Sequence, residues 1–355
     1  MKGRISLEGE LDMQGVPSDE AERVTVQDGP EQVIPGVWRI PVPLPFALKS
    51  ANIYLIDDGP GQRILIDSGL GLPADEQALR AGLAAAGVAL EDLSALILTH
   101  AHPDHIGLSG LIHETSHIPI HILEGEAAQI SAVWGEASGE LLLRLDEMYR
   151  VNGMPDEIRA GSQKAGLSLR KVLRLPPTDA ITTLRDGQRL ELGNHSYEVI
   201  WTPGHSDHHL CLLRDDSLFI AGDHILPHIT PNIGLYVGAR PNPLSDYFGA
   251  LRRVEPLAAG LVLPGHGRPF EGLAERAVGL RAHHDERSES VYDIVAGERD
   301  GLNAYGVAGR LFGERLRSFD DWRFAVAETL AHLEYLRLAG HIERAAQDGL
   351  LTYSA

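Results

Sequence analysis

The sequence predicts a layered α/β fold with its functional residues collected at one edge of the sheets. Short apolar runs bounded by Gly, Pro and Asp alternate with stretches of helical spacing, a pattern that stacks helices on sheets. Four of the apolar runs also end in residues of metal-ligand type. Side chains gathered beyond strand ends are how an open α/β sheet builds a site.

Residues 1–32 are polar, acidic and glycine-containing, and read as an N-terminal extension without chemistry of its own. From Val33 the texture changes. Ile34–Ile40, Ala51–Ile56 and Arg63–Asp67 read as successive strands separated by turn residues. Asp67 ends the third, where a carboxylate either caps a turn or receives the second N–H of a ligating imidazole. Pro73–Gly87 has helical spacing and closes on glycine. The apolar run Ala95–Leu98 then delivers Thr99-His100-Ala101-His102-Pro103-Asp104-His105. In extended chain, His100 and His102 point to the same side. Pro103 ends the strand, and Asp104 and His105 open a helix through Ile112, so they face a second point. One loop thus offers ligands at two positions.

The next part departs from simple alternation. Glu124–Trp134, Gly139–Arg150 and Pro155–Leu169 read as three amphipathic helices in an insertion spanning about 122–170, placed either to roof the site or to add a packing layer. Ile181–Leu192, with its turn at Arg185-Asp186-Gly187-Gln188, returns to β structure. Three further junctions follow: Ser196–Trp201 runs into His205, Leu218–Ala221 into Asp223-His224, and Leu261–Leu263 into His266.

With the motif His-x-His-x-Asp-His and these three junctions in hand, residues 33–270 resemble the metallo-beta-lactamase superfamily. The resemblance implies a four-layer αββα sandwich with two metal sites at its edge. His100, His102 and His205 match the first site; Asp104, His105 and His266 match the second; Asp223 matches the bridging carboxylate. Zinc is the implied metal, although iron and manganese accept the same nitrogen and oxygen donors. Asp223 stands where the zinc beta-lactamases place a cysteine, which directs the expectation towards the hydroxyacylglutathione hydrolase, lactonase and phosphodiesterase branches. The implied reaction is hydrolysis of a thioester, ester or lactone in a small acyl compound. A hydroxide bridging two divalent ions would attack, and Asp104 would ligate and also carry the proton. Phosphodiester or RNA hydrolysis and iron-dependent persulfide dioxygenation are the alternatives that reuse this ligand pattern. His224, beside Asp223, is the first candidate for an outer-shell or substrate contact. Tyr236 and Tyr247 are candidate oxyanion donors.

Residues 271–355 read as a helical module. Leu273–Ala296, Ala304–Leu311 and Trp322–Gly340 have helical spacing, and residues 342–353 carry an Asp-Gly turn between short strands. Three helices and a hairpin resemble the winged-helix module found at the end of some lactamase-like hydrolases, expected here to pack or to dimerise. On the first of these helices His284 is a candidate contact for an anionic substrate.

Composition limits the partners. A formal net charge of −19 opposes a surface built for nucleic acid or anionic membrane. No apolar run reaches the roughly 20 residues of a membrane span, and Met1–Gly15 lacks the apolar centre of a signal peptide. The single cysteine, Cys211, sits in an apolar strand and reads as core. A soluble cytoplasmic enzyme with scope to form a homodimer is the expectation.

Overall fold

A computed structural model describes residues 29–45, 48–135 and 139–355. The N-terminal extension therefore lies outside the described residues up to Asp28. The first sheet has seven strands in chain order: β1 (Glu31–Ile34), β2 (Val37–Pro43), β3 (Ser50–Asp57), β4 (Arg63–Ile66), β5 (Ala95–Ile97), β6 (Ile120–Leu123) and β7 (Ile181–Leu184). Its first four strands pair antiparallel and its last four parallel. The second sheet comprises β8 (Arg189–Leu192), β9 (His195–Trp201), β10 (Leu210–Arg214), β11 (Leu218–Gly222) and β12 (Leu261–Pro264), ordered β12-β11-β10-β9-β8. Between β7 and β8, the turn at Arg185–Gln188 carries the chain from one sheet to the other.

Alternation along each strand explains the layers. In β3, Tyr54 and Ile56 face a core shared with Tyr197, Val199, Leu210 and Leu212 of the second sheet. Ile53 and Leu55 face the opposite way, onto α1 (Pro73–Ala85) and the pair α2 (Pro103–Ile106) and α3 (Ser109–Ser116). The outer face of the second sheet, including Cys211 and Phe219, packs on α7 (Pro243–Val254) and on the first half of α8 (Leu273–Ala296). This is helix, sheet, sheet, helix, as expected. The helix expected across Asp104–Ile112 is broken into α2 and α3, because Gly107 passes directly against the Gly69-Leu70 backbone. Its N–H donates to Gly69 O at 2.7 Å, and a Cβ there would collide with Leu70 O. Gly107→Ala is expected to destabilise the fold by about 3 kcal/mol, at the upper end of overpacking costs. A lowered denaturation midpoint with unchanged slope would show it; an unchanged midpoint would refute the close approach.

The insertion supplies α4 (Glu124–Gln129), a π-helical turn at Ile130–Trp134, α5 (Gly139–Val151) and α6 (Asp156–Arg170). Beyond α8 come α9 (Ala304–Phe312), α10 (Phe319–Leu338) and the hairpin β13 (Glu343–Gln347) and β14 (Leu350–Ser354). These two distant parts share one core. Tyr149 and Met154 of the insertion pack with Val291, Val307, Val326 and Leu333 of the C-terminal helices. Among the described residues no helix is long and apolar enough to cross a membrane.

Candidate metal centre

Strand register assembles the site. The parallel pairing Ile66↔Ile97 sets Asp67, just past β4, beside Thr99, just past β5. The parallel pairing Gly222↔Pro264 likewise sets Asp223 beside the Gly265-His266 loop. Two hydrogen bonds stitch the sheets together at this edge: Leu210 N–H donates to Thr99 O at 2.9 Å, and Asn52 N–H to Gly265 O at 2.7 Å. Gly265 has no room for a side chain, since a Cβ would collide with Asp223 Oδ1.

The seven predicted ligands converge. His100, His102 and His205 offer ligand atoms within 4.8 Å of one another, as do Asp104, His105 and His266. Asp223 lies between the two triads. Its Oδ2 is 3.5 Å from His105 Nε2, 3.5 Å from His205 Nε2 and 3.2 Å from His266 Nε2. Four of the imidazoles have their other nitrogen anchored. His105 Nδ1 meets Asp67 Oδ2 at 2.8 Å, His205 Nδ1 meets Asn232 O at 3.0 Å, His266 Nδ1 meets Ser50 O at 2.7 Å, and His100 Nδ1 meets Thr99 Oγ1 at 3.0 Å. Such anchoring fixes the tautomer and aims the free nitrogen inward. Asp67 therefore pairs with the imidazole of His105, beyond capping a turn; it also accepts Thr99 N–H at 2.8 Å.

The donor set fits a divalent metal. His105 Nε2, His205 Nε2 and Asp223 Oδ1 are buried without any hydrogen-bond partner, and buried polar atoms rarely remain so unless something else engages them. Burial pushes His102 down to about 3 and His100 well below the ordinary range, so both present neutral lone pairs. For His105 and His266 burial acts in the same direction, but the Asp223 and Asp104 carboxylates outweigh it. They raise His105 well above its usual value and His266 to about 10. Burial would raise Asp104, yet His105 and His266 hold its carboxyl below the usual range. In the metal-free protein, protons thus occupy imidazoles that a metal needs deprotonated. Metal uptake at pH 7 is expected to release at least about one proton and to weaken as pH falls. Calorimetry in buffers of different ionisation enthalpy measures this, and heats independent of the buffer would refute it.

The other predicted contacts fall differently. His224 is fully buried, with neither ring nitrogen hydrogen-bonded. Tyr247 is buried and donates to His224 O at 2.9 Å, so its hydroxyl is occupied away from the ligands. Tyr236 OH donates to Asn232 Oδ1 at 3.3 Å, one step behind His205. His284 is buried against α10, where its Nδ1 meets His332 Nε2 at 3.3 Å, and its ring contacts that of Tyr247.

Several supports escape sequence reasoning. Asn52 donates to Pro264 O at 2.9 Å and Gly267 O at 2.7 Å, holding the His266 loop. Asn232, whose carbonyl anchors His205, donates through its own amide to Glu328 Oε2 on α10 at 3.1 Å. Glu126 is fully buried against both ligand loops of the first triad. Each is an ordinary polar residue whose partners lie far away in the chain, so no local spacing marks it.

The metallo-beta-lactamase superfamily model matches residues 48–266, more than half of the chain. The chain belongs to the metallo-beta-lactamase superfamily. A second model, the metallo-beta-lactamase-like C-terminal domain, matches residues 293–355. The crystal structure of a metallo-beta-lactamase family protein from Thermus thermophilus is similar at 33 % identity and a TM-score of 0.80, covering 91 % of this chain and 99 % of that one. The probable metallo-hydrolase YqjP of Bacillus subtilis is 28 % identical over 84 % of this chain and 92 % of its own length. An atrochrysone carboxyl ACP thioesterase of Aspergillus fumigatus is 25 % identical over 64 % of this chain; the match spans 54 % of that enzyme. Superfamily membership and the converging His and Asp donors make this chain a metallo-hydrolase.

Proposed function

We propose that this chain hydrolyses the thioester, ester or lactone bond of a small acyl compound at a dinuclear centre, in the manner of the hydroxyacylglutathione hydrolase and lactonase branches. The observation that carries the reading is Asp223, an oxygen donor set between two complete triads. The similarity to an acyl thioesterase supports the choice of bond. Two divalent ions, zinc for this nitrogen- and oxygen-rich set, would supply an acidified water and polarise the scissile carbonyl.

The chain's own residues do the rest. The His100, His102 and His205 imidazoles, neutral through burial, would hold one ion; Asp104, His105 and His266 would hold the other. Asp104 keeps about a sixth of its side chain exposed, whereas His105 and His266 are closed off. It is the carboxylate open to substrate; with Oδ2 turned towards His105 and His266, its other oxygen would accept the proton of the attacking water and return it to the departing thiolate or alkoxide. Water adds to the carbonyl carbon and the carbon–sulfur or carbon–oxygen bond breaks; an open-chain thioester or ester gives an acid and a thiol or alcohol, and a lactone gives a single ring-opened hydroxy acid.

The test is metal analysis of protein purified without added metal, with assays of acyl thioesters, lactones and a bis-nitrophenyl phosphodiester. Two zinc ions per chain and thioester or lactone turnover that collapses in His102→Ala are expected. Turnover of the phosphodiester alone, or iron with oxygen consumption, would overturn the reading.

A further inference from the structure

Ala101 stands between the ligands His100 and His102, and both of its backbone polar groups are taken by the insertion. Its N–H donates to Glu126 Oε2 at 2.7 Å, and its carbonyl accepts from Trp134 Nε1 at 2.9 Å. The other oxygen of the same carboxylate serves the second ligand loop. Glu126 Oε1 accepts from Ser206 Oγ at 2.7 Å and from His208 N–H at 3.0 Å, immediately after His205. One buried side chain therefore joins loops about a hundred residues apart that together carry the whole His100, His102 and His205 triad.

Two further observations show that this contact is built. Gly125, the residue before Glu126, lies so close to the His208 ring that a Cβ would collide with it, so α4 approaches the loop more closely than any side chain permits. Trp134 closes a π-helical turn, an irregularity that often serves to aim a side chain. Generic packing does not account for a carboxylate here. Burying one is costly unless charge-assisted hydrogen bonds satisfy it, and Glu126 receives three.

We propose that Glu126 is a positioning residue that fixes the His100/His102 loop against the His205 loop and thereby sets the metal affinity of that triad. The proposal rests on the metal-centre reading above. It assigns the insertion a role as an outer brace of the centre, distinct from that of a lid. The chemistry requires glutamate itself. Each carboxylate oxygen accepts a backbone N–H, so a glutamine amide, whichever way it is turned, sets N–H against N–H. Aspartate is one methylene too short to span both loops.

The experiment is zinc titration of the metal-depleted full-length protein in competition with a chromophoric chelator, comparing wild type with Glu126→Gln. Wild type is expected to bind in two phases. Glu126→Gln should weaken one phase by about 10–100-fold, the range for outer-shell partners of metal ligands, and leave the other unchanged. If Glu126→Gln does not fold, the double variant Trp134→Phe/Ser206→Ala removes two hydrogen bonds of the same brace and should give the same selective loss. Two phases that remain unchanged, or that weaken together, overturn the proposal alone. Wild-type protein that binds no zinc overturns the metal-centre reading, and this proposal with it.

Discussion

Asp223→Ala is expected to lose metal affinity and acyl-ester turnover by well over about a hundredfold, because groups one shell further out already cost about 10–100-fold. Asp223 touches donors of both triads, lying 3.5 Å from His205 Nε2 and 3.2 Å from His266 Nε2. Its removal separates the triads electrostatically. It also takes away the largest favourable influence on the charge of His105 and His266, leaving two buried imidazoles with less reason to stay protonated. The metal-free variant should therefore bind fewer protons near pH 7, and metal uptake should release fewer. Metal content, steady-state kinetics and buffer-dependent calorimetry on one preparation test all three. A variant that retains both ions and full turnover would remove Asp223 from the centre.

The second large effect is expected at Asp67. This residue has φ +61°, a left-handed conformation that Asn and Asp tolerate better than other side chains. There its carboxylate receives Thr99 N–H and Thr99 Oγ1 and faces His105 Nδ1 at 2.8 Å. Asp67→Ala strains the backbone by about 1–2 kcal/mol and leaves buried donors unpaired at about 1–3 kcal/mol each. Asp67→Asn keeps the conformation but presents an amide to donors. Both variants should weaken metal binding by about 10–100-fold, with the larger loss of fold stability in the alanine form. Denaturant titration beside chelator competition separates the two effects. Equal stability losses would show that backbone conformation contributes nothing at this position.

The candidate ligands were legible as one cluster because each follows an apolar strand and four fall within one heptapeptide. Parallel pairing of neighbouring strands then brings their ends together without long-range information. Glu126 was not legible for the opposite reason: in Glu124-Gly125-Glu126 it reads as one more acidic residue in the first turn of a helix, and its three partners come from two other loops. The burial of His284 had a signal in the sequence. Leu273, Ala277, Leu280, His284, Ser288, Val291 and Val295 recur at helical spacing and are all buried, so His284 belongs to the inward stripe of α8 and not to its exposed face. Tyr236 and Tyr247 show the same limit, since a tyrosine's spacing does not reveal which acceptor its hydroxyl finds. The break between α2 and α3 was hidden because a glycine inside a helical pattern is tolerated; only the Leu70 carbonyl opposite it makes the break necessary.

The core shared by the insertion and the C-terminal helices has an evolutionary corollary. The two parts are expected to be inherited together, because Tyr149 and Met154 fill a layer whose other side is Val307, Val326 and Leu333, and Ser162 Oγ donates to Phe319 O at 3.0 Å. The expected unit of exchange in recombination is thus a pair of segments separated by the strands that carry His205, Asp223 and His266. A chimaera that swaps the tail at residue 270 while keeping the host insertion pairs surfaces that never adapted to each other. Grafts that move both segments together should be the ones that stay soluble.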